Sequence, residues 1–405
     1  MAASRRVRSC VVVVACVLLA SCGGVQPPIE GAGTMQQRTS HRASSGYQVV
    51  YRFGSRHRDG RLSYAPMINV KGTLYGTTYR GGAHGFGTVF RIPAAGKEQT
   101  LYSFGGGSDG ALPQAGLIVV NGTLYGTTAY GGANGNGTVF SVTTGGTEKI
   151  VYSFRGGSSD GLTPVASLLN VNGTLYGTTF YGGAHLYGTI FSVTTGGAEM
   201  VVYSFGAGSS DGENPTANLV DIKGTLYGTA PVGGAHGAGT VFGVTTSGQE
   251  KLSYSFGGGS DGANPGASLI DVNGALYGTT SAGGSCAGHD FGCGTVFEIT
   301  TTGTEKVLYS FGDSPDGQDP SGSLIDVKGR LYGTTLLGGS GDGAIFAVTT
   351  TGKEKVLHLF DSSDGAQPAA SLIDVHDVLY GTTRYGGGHG CRIYNGCGTV
   401  FALTP

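Results

Sequence analysis

The residues best suited to chemistry recur at intervals along the chain. Asp-Gly pairs stand at Asp59, Asp109, Asp160, Asp211, Asp261, Asp316 and Asp364. Six of these aspartates are followed, four residues on, by Pro113, Pro164, Pro215, Pro265, Pro320 or Pro368; Ser63 takes that place in the first copy. A ring of such carboxylates suggests calcium or sugar ligation. The competing reading is an Asx-turn, in which the carboxylate accepts nearby backbone N–H groups and the glycine takes positive φ. Calcium loops gather several oxygens in one short segment. Each segment here offers about one carboxylate, so the Asx-turn is favoured. A second set, GGAHG and its variants, supplies His84, His185, His236, His289 and His389, with Asn134 in the second copy. Zinc requires three or four ligands at about 2 Å from one point. Loop tips on separate repeats do not converge that way, so neither a metal nor any other cofactor is expected.

Four cysteines fall in two excursions, Cys286 and Cys293 in SCAGHDFGC and Cys391 and Cys397 in GCRIYNGC. Each pair flanks one loop, and in an oxidising compartment the expectation is a local disulfide within each. Closing so short a loop contributes roughly 2–3 kcal/mol. These loops depart from the surrounding pattern. Their tips, His289, Asp290, Arg392, Tyr394 and Asn395, are therefore the candidate binding residues. Hydrolytic or eliminative chemistry would need paired carboxylates, or a base with an activated partner. Asp290 has His289 beside it but no second carboxylate nearby in sequence. A nucleophile elbow, a phosphate-binding loop after a strand and a zincin helix are all missing. No catalytic residue is assigned.

The elements that would position these loops follow from periodicity. The tyrosines of LYG are Tyr75, Tyr125, Tyr176, Tyr227, Tyr277, Tyr332 and Tyr380, at intervals near 50 residues. That is a tandem array of one supersecondary unit. Each unit holds four short segments rich in β-branched and aromatic residues, for example SLLNV, TLYGTT, GTIFSVT and EMVVYSF in the third copy. Asn172-Gly173 suits a two-residue hairpin turn. Apolar side chains occur on both faces of each strand, so each sheet must be covered on both sides. Seven such sheets around an axis make an all-β, seven-bladed β-propeller with four antiparallel strands per blade. The blades fall near 65–104, 115–154, 166–205, 217–256, 267–311, 322–360 and 370–405. The last unit lacks a fourth strand, whereas Tyr47–Phe53 (YQVVYRF) is a spare one that would close the ring on it. The LYG tyrosines and the YSF phenylalanines are read as packing residues. The glycine of LYG is read as room for the neighbouring blade. Alternating strand direction puts the second-to-third loops and the inter-blade loops on one face.

The pattern LYGTT–xxGG–xGTVF–TTxG–LYSF–DG–P resembles the GloVer tandem repeat of exported bacterial proteins with varied anchors, over Tyr47–Pro405. The resemblance implies a secreted or surface-attached propeller and carries no catalytic residues. A kelch propeller is the structural alternative, although the chain has no Trp. At the N-terminus, Arg5, Arg6 and Arg8 precede an apolar run, Val11–Ala20, which reads as a signal peptide. Leu19-Ala20-Ser21-Cys22 is similar to the lipobox of bacterial lipoproteins. That implies residues 1–21 as signal, lipidation of Cys22, and, with Gly23 next, outer-membrane sorting. An ordinary signal peptide cut near Ala20 is the alternative. Residues 22–46, rich in Gly, Pro, Gln, Ser and Thr, read as a tether.

Losing the three signal arginines takes the formal charge from −2 to −5, which argues against nucleic acid as a partner. The reading is a monomeric, non-catalytic envelope lipoprotein that touches the membrane only through its lipid. It would bind a glycan or a protein. An extracellular lyase or glycoside hydrolase and a purely structural envelope protein are the alternatives.

Overall fold

A computed structural model describes residues 46–93, 97–286, 292–312, 315–339, 341–392 and 395–405. The lipobox, Cys22 and the tether lie outside the described residues. From Gly46 onward the chain forms seven four-stranded antiparallel sheets. In the third, Leu169–Val171, Thr174–Thr179, Thr189–Thr194 and Glu199–Ser204 pair in that order. The Asn172-Gly173 turn has φ of 52° and 90°, as a primed hairpin turn requires. Asn170 Oδ1 accepts the Gly173 N–H at 2.9 Å and locks it.

The ring closes as the sequence predicts. Tyr47–Arg52 pairs antiparallel with Thr399–Leu403, Tyr47 opposite Leu403 and Arg52 opposite Thr399. Blade 7 therefore takes its outer strand from the start of the chain. First strands of neighbouring blades contact one another, which places them innermost.

The core is divided among the blade interfaces, one apolar cluster at each. Phe154, from the end of blade 2, packs edge-on against Phe191 of blade 3, with centroids 5.0 Å apart. The same contact recurs as Phe53–Phe90, Phe104–Phe140, Phe205–Phe242, Phe256–Phe297, Phe311–Phe346 and Phe360–Phe401. Burying one phenylalanine is worth about 1.5–3 kcal/mol, and an aromatic pair adds about 0.5–1.5 kcal/mol. The LYG glycine plays a different part from the one expected. Gly76 lies opposite Phe90 of its own blade. A Cβ there would sit 2.6 Å from the Phe90 ring, so the glycine makes room within the blade.

The two threonines of LYGTT carry the polar bonds. The first donates to a carbonyl of the next blade: Thr77 to Ala115 O at 2.8 Å, and so on round to Thr382, which closes on Ala65 O at 3.4 Å. The second bonds across its own sheet, as Thr128 Oγ1 does with Thr138 Oγ1 at 2.8 Å. In blade 4 the pattern reads GTA, and Thr240 Oγ1 is left buried with no partner among the described residues. Ala230→Thr should restore that bond and raise stability by roughly 1 kcal/mol. Thr128→Ala should lower it by a similar amount by orphaning Thr138. Chemical denaturation midpoints read both; a lower midpoint for Ala230→Thr would refute the assignment.

Candidate functional site

The inter-blade loop and the second-to-third loop lie at one end of each blade and pair there. Gly161–Leu162 forms a two-residue ribbon with Tyr181–Gly182. Four other blades have the same ribbon, and single bridges, Ala263 to Ala282 and Ala366 to Tyr385, replace it in blades 5 and 7. The variable loops are thereby fastened to one another on one face.

The aspartates do make Asx-turns, and they do more. Asp160 accepts the N–H of Gly161 at 2.7 Å and of Arg155 at 2.7 Å, and the hydroxyl of Tyr152 at 2.8 Å. Equivalent tyrosine–aspartate bonds form at Asp59, Asp109, Asp211, Asp261 and Asp316. A glutamate from the next blade's outer strand comes up beside each pair. Tyr254 Oη, for instance, is 2.8 Å from Asp261 and 3.4 Å from Glu305.

Burial, with the nearby aspartate second, pushes Glu148, Glu199, Glu305 and Glu354 up to about 7. Glu98 is raised to about 7 by the same causes. A phenol has one proton. When it lies on the aspartate, the phenol oxygen is left as an acceptor, which a protonated glutamate satisfies and a carboxylate does not. Paired carboxyls thus exist, but they repeat from interface to interface and hold the blades together.

The seventh interface uses other residues. His358 replaces the tyrosine and bonds Asp364 at 3.0 Å, while Tyr47 stands where the glutamate would be and stacks on His358 at 3.7 Å.

At the axis, side chains of successive blades form a directional chain. Ser167 Oγ accepts the Gly116 N–H, Asn218 Oδ1 that of Ser167, Ser268 Oγ that of Asn218, and Ser323 Oγ that of Ser268, at 2.6–2.9 Å. At the blade 1–blade 2 step the acceptor side chain is missing, because the residue is Gly116. The donor is missing too, because its partner is Pro66. Around this chain runs a small polar cavity of ≈ 100 Å³, lined in part by Tyr64, Gln114, Thr216 and Ser321.

The repeat breaks most sharply between blades 6, 7 and 1. Arg384 lies over the Tyr64 ring at 4.6 Å, and its Nε is buried with no partner among the described residues. Burial raises the Asp319 carboxyl to about 6, against the pull of Arg384. Tyr64 meets Tyr79 edge-on at 5.1 Å. Beside this cluster opens a recess of ≈ 610 Å³, lined by His57, Arg58, Arg61, Arg80 and Cys391 among others.

Both expected disulfides are present, Cys286–Cys293 and Cys391–Cys397, with Cα atoms 5.6 and 5.0 Å apart. Of the candidate tip residues, His289, Asp290 and Tyr394 lie outside the described residues. Arg392 and Asn395 are exposed. Cys391 brings the blade 7 loop to the wall of the recess. His84, His185, His236 and His389 are exposed on separate loops. Among the described residues no group of three or more His, Cys, Asp or Glu could hold a metal ion. Sequence reasoning missed Tyr64, Tyr79, Asp319 and Arg384, which ring closure brings together. The run Arg56-His57-Arg58, where other copies have mostly glycine and serine, was the available signal.

A family model described as the Gloeobacter/Verrucomicrobia repeat matches residues 24–132, 107–288 and 285–405. No curated protein sequence matches. Among solved structures, a puromycin hydrolase aligns with TM-score 0.52 and 14% identity, over 81% of this chain and 50% of its own. A puromycin-hydrolyzing peptidase of Mycobacterium tuberculosis aligns with TM-score 0.50 and 12% identity, over 83% and 53%. This chain spans about half the length of each, and the likeness concerns the fold alone.

The interface carboxyls set a pH dependence. Their folded pKa values lie above the unfolded value, so the folded state holds more protons between about 4.5 and 7. This contribution is fully favourable below that window and is lost as pH rises through it. Thermal melts should therefore show a lower Tm at pH 8 than at pH 5.5. Replacing Glu148, Glu199, Glu305 and Glu354 by Gln should flatten the difference; an equal slope in the variant would sink the assignment.

Proposed function

The chain belongs to the Gloeobacter/Verrucomicrobia repeat family, and on that premise we propose that it is a non-catalytic recognition propeller of the cell envelope. It is anchored through Cys22 and presents its loop face to a glycan or a protein as a monomer. One observation carries the reading. Both variable loops of every blade are fastened together on one face of a closed ring, and an arginine-lined recess opens among them. Rigid scaffolds with side-chain variation confined to their loops are built for binding. Two disulfides fit an oxidising compartment, as export requires. The carboxyl pairs do not favour a hydrolase, because they are repeated, tyrosine-bonded and spent on blade contacts.

Anchoring has a direct test. The full chain, made in cells competent for lipidation, should incorporate a palmitate analogue, and Cys22→Ser should abolish the label. An unlabelled wild-type chain would refute the anchor. Recognition is tested by incubating the protein with a panel of envelope and plant polysaccharides and reading binding and released oligosaccharide together. Binding without product is expected. Product formation would make the protein an enzyme, and silence on every polysaccharide would remove the glycan from the reading.

A further inference from the structure

The recess between blades 7 and 1 has a charge that the rest of the chain does not. One side of its wall is formed by His57, Arg58, Asp59 and Arg61 of the run Arg56-His57-Arg58-Asp59-Gly60-Arg61. Arg56 is committed to Glu98, at 3.8 Å. The only carboxylate among the described residues that line the recess, Asp59, is used by Tyr51, Ser55 and Gly60. Arg58, Arg61 and Arg80 are exposed, and none of them pairs with a carboxylate among the described residues. This is a local concentration of unpaired positive charge on a chain of net charge −2. Unpaired arginines gathered in a concavity focus a positive field on whatever enters.

From Arg80, which lines the recess, cations and rings alternate. Arg80 stands over Tyr79 at 5.4 Å, Tyr79 meets Tyr64 at 5.1 Å, and Arg384 stands over Tyr64 at 4.6 Å. The Arg384 Nε is buried without an acceptor among the described residues, and the Asp319 carboxyl acts on the same guanidinium. Tyr64 in turn lines the axial cavity. The strip therefore sets two half-buried tyrosine rings among guanidinium groups, those of Arg58, Arg61 and Arg80 exposed.

We propose that this strip, His57, Arg58, Arg61 and Arg80 with Tyr79, Tyr64 and Arg384, is a binding site for an acidic polysaccharide whose sugar rings carry carboxylates. The proposal rests on the recognition reading above and names its ligand class. Guanidinium groups match carboxylates with two parallel hydrogen bonds. Tyrosine presents an apolar face and a polar edge, as a sugar ring does. An acidic peptide has no flat ring to lay on Tyr64 and Tyr79. A single-stranded nucleic acid has bases to stack and phosphates to pair. The basic strip is short, however, which disfavours a long polyphosphate chain.

The test uses the full chain and four probes: a short oligogalacturonate, the same oligomer with its carboxylates methyl-esterified, a polyglutamate, and a single-stranded DNA oligomer. The free-acid oligogalacturonate should bind at least about ten-fold tighter than its ester, the ratio one lost ion pair would give. Added salt should erode that difference. Arg58→Gln, Arg61→Gln and Arg80→Gln combined should abolish the preference for acid over ester while leaving Tm unchanged. Tyr64→Leu should weaken both forms. Equal affinity for acid and ester in the wild-type chain would overturn the acidic ligand and leave the recognition reading standing. An acid preference that survives the triple substitution would overturn the site. Tighter binding of polyglutamate or DNA than of either saccharide would overturn both the ligand class and the glycan reading. The comparison of acid with ester needs no variant, so a misfolded triple variant does not shelter the proposal.

Discussion

Everything in this molecule hangs on the edge-to-face contact of two phenylalanines at each blade boundary. The YSF ring leaves the outer strand of one blade and lands on the GTVF ring of the next, with both fully buried at almost every interface. For that landing, the GTVF ring must lie flat across its own sheet. The LYG glycine opposite it is what permits this, because any side chain there would collide with the ring. The most recurrent part of the repeat, LYG facing GTVF, is therefore one mechanical part. Leucine and tyrosine fill the gap between blades, and glycine receives the ring. The edge-to-face geometry places the positive ring edge on the negative ring face, and so fixes the angle between blades as well as their distance.

Around this apolar contact the polar groups are arranged to tolerate sequence drift. The first threonine of LYGTT ties each blade to the carbonyl ahead of it at every boundary, including the one that closes the ring. The outer boundary uses tyrosine, aspartate and glutamate at six positions and histidine, aspartate and tyrosine at the seventh. That seventh boundary is where blade 7's outer strand comes from the start of the chain, so its first residue is Tyr47 instead of a glutamate. Two changed residues keep one contact. The axial chain behaves similarly, losing a donor at Pro66 where it loses an acceptor at Gly116. Blade 4 lacks such a match: Ala230 removes a hydroxyl and Thr240 is left without one.

The fold could be read from the chain because its period is long, regular and marked by LYG, and because strand pairing within a blade is local. Closure was legible from arithmetic on strand types at the two ends. What stayed hidden is what acts between blades. Glu148 and Asp109 are 39 residues apart in sequence, and nothing in either segment says that they share a tyrosine. Tyr64 and Arg384 are near opposite ends of the chain and meet only once the ring is shut. The glycine of LYG was placed correctly but assigned to the wrong neighbour, since its collision partner lies one hairpin away in the same sheet. The cysteine loops drew notice because cysteine is rare here. The run Arg56-His57-Arg58 was quieter, although it departs from the repeat as far, and the blade 7 disulfide loop turns out to border the recess those residues wall.

The closing strand has a further consequence, for load. Everything before Gly46 joins the ring through Tyr47–Arg52, which is held along its length by the final strand, Thr399–Leu403. Tension drawn along that strand from a point upstream meets its ladder bonds side by side, so they share the force and yield together. Drawn across the strand, the same tension would meet them one at a time. The last blade is thus both the clasp of the ring and the place where the preceding chain joins it, and its grip depends on the direction of pull.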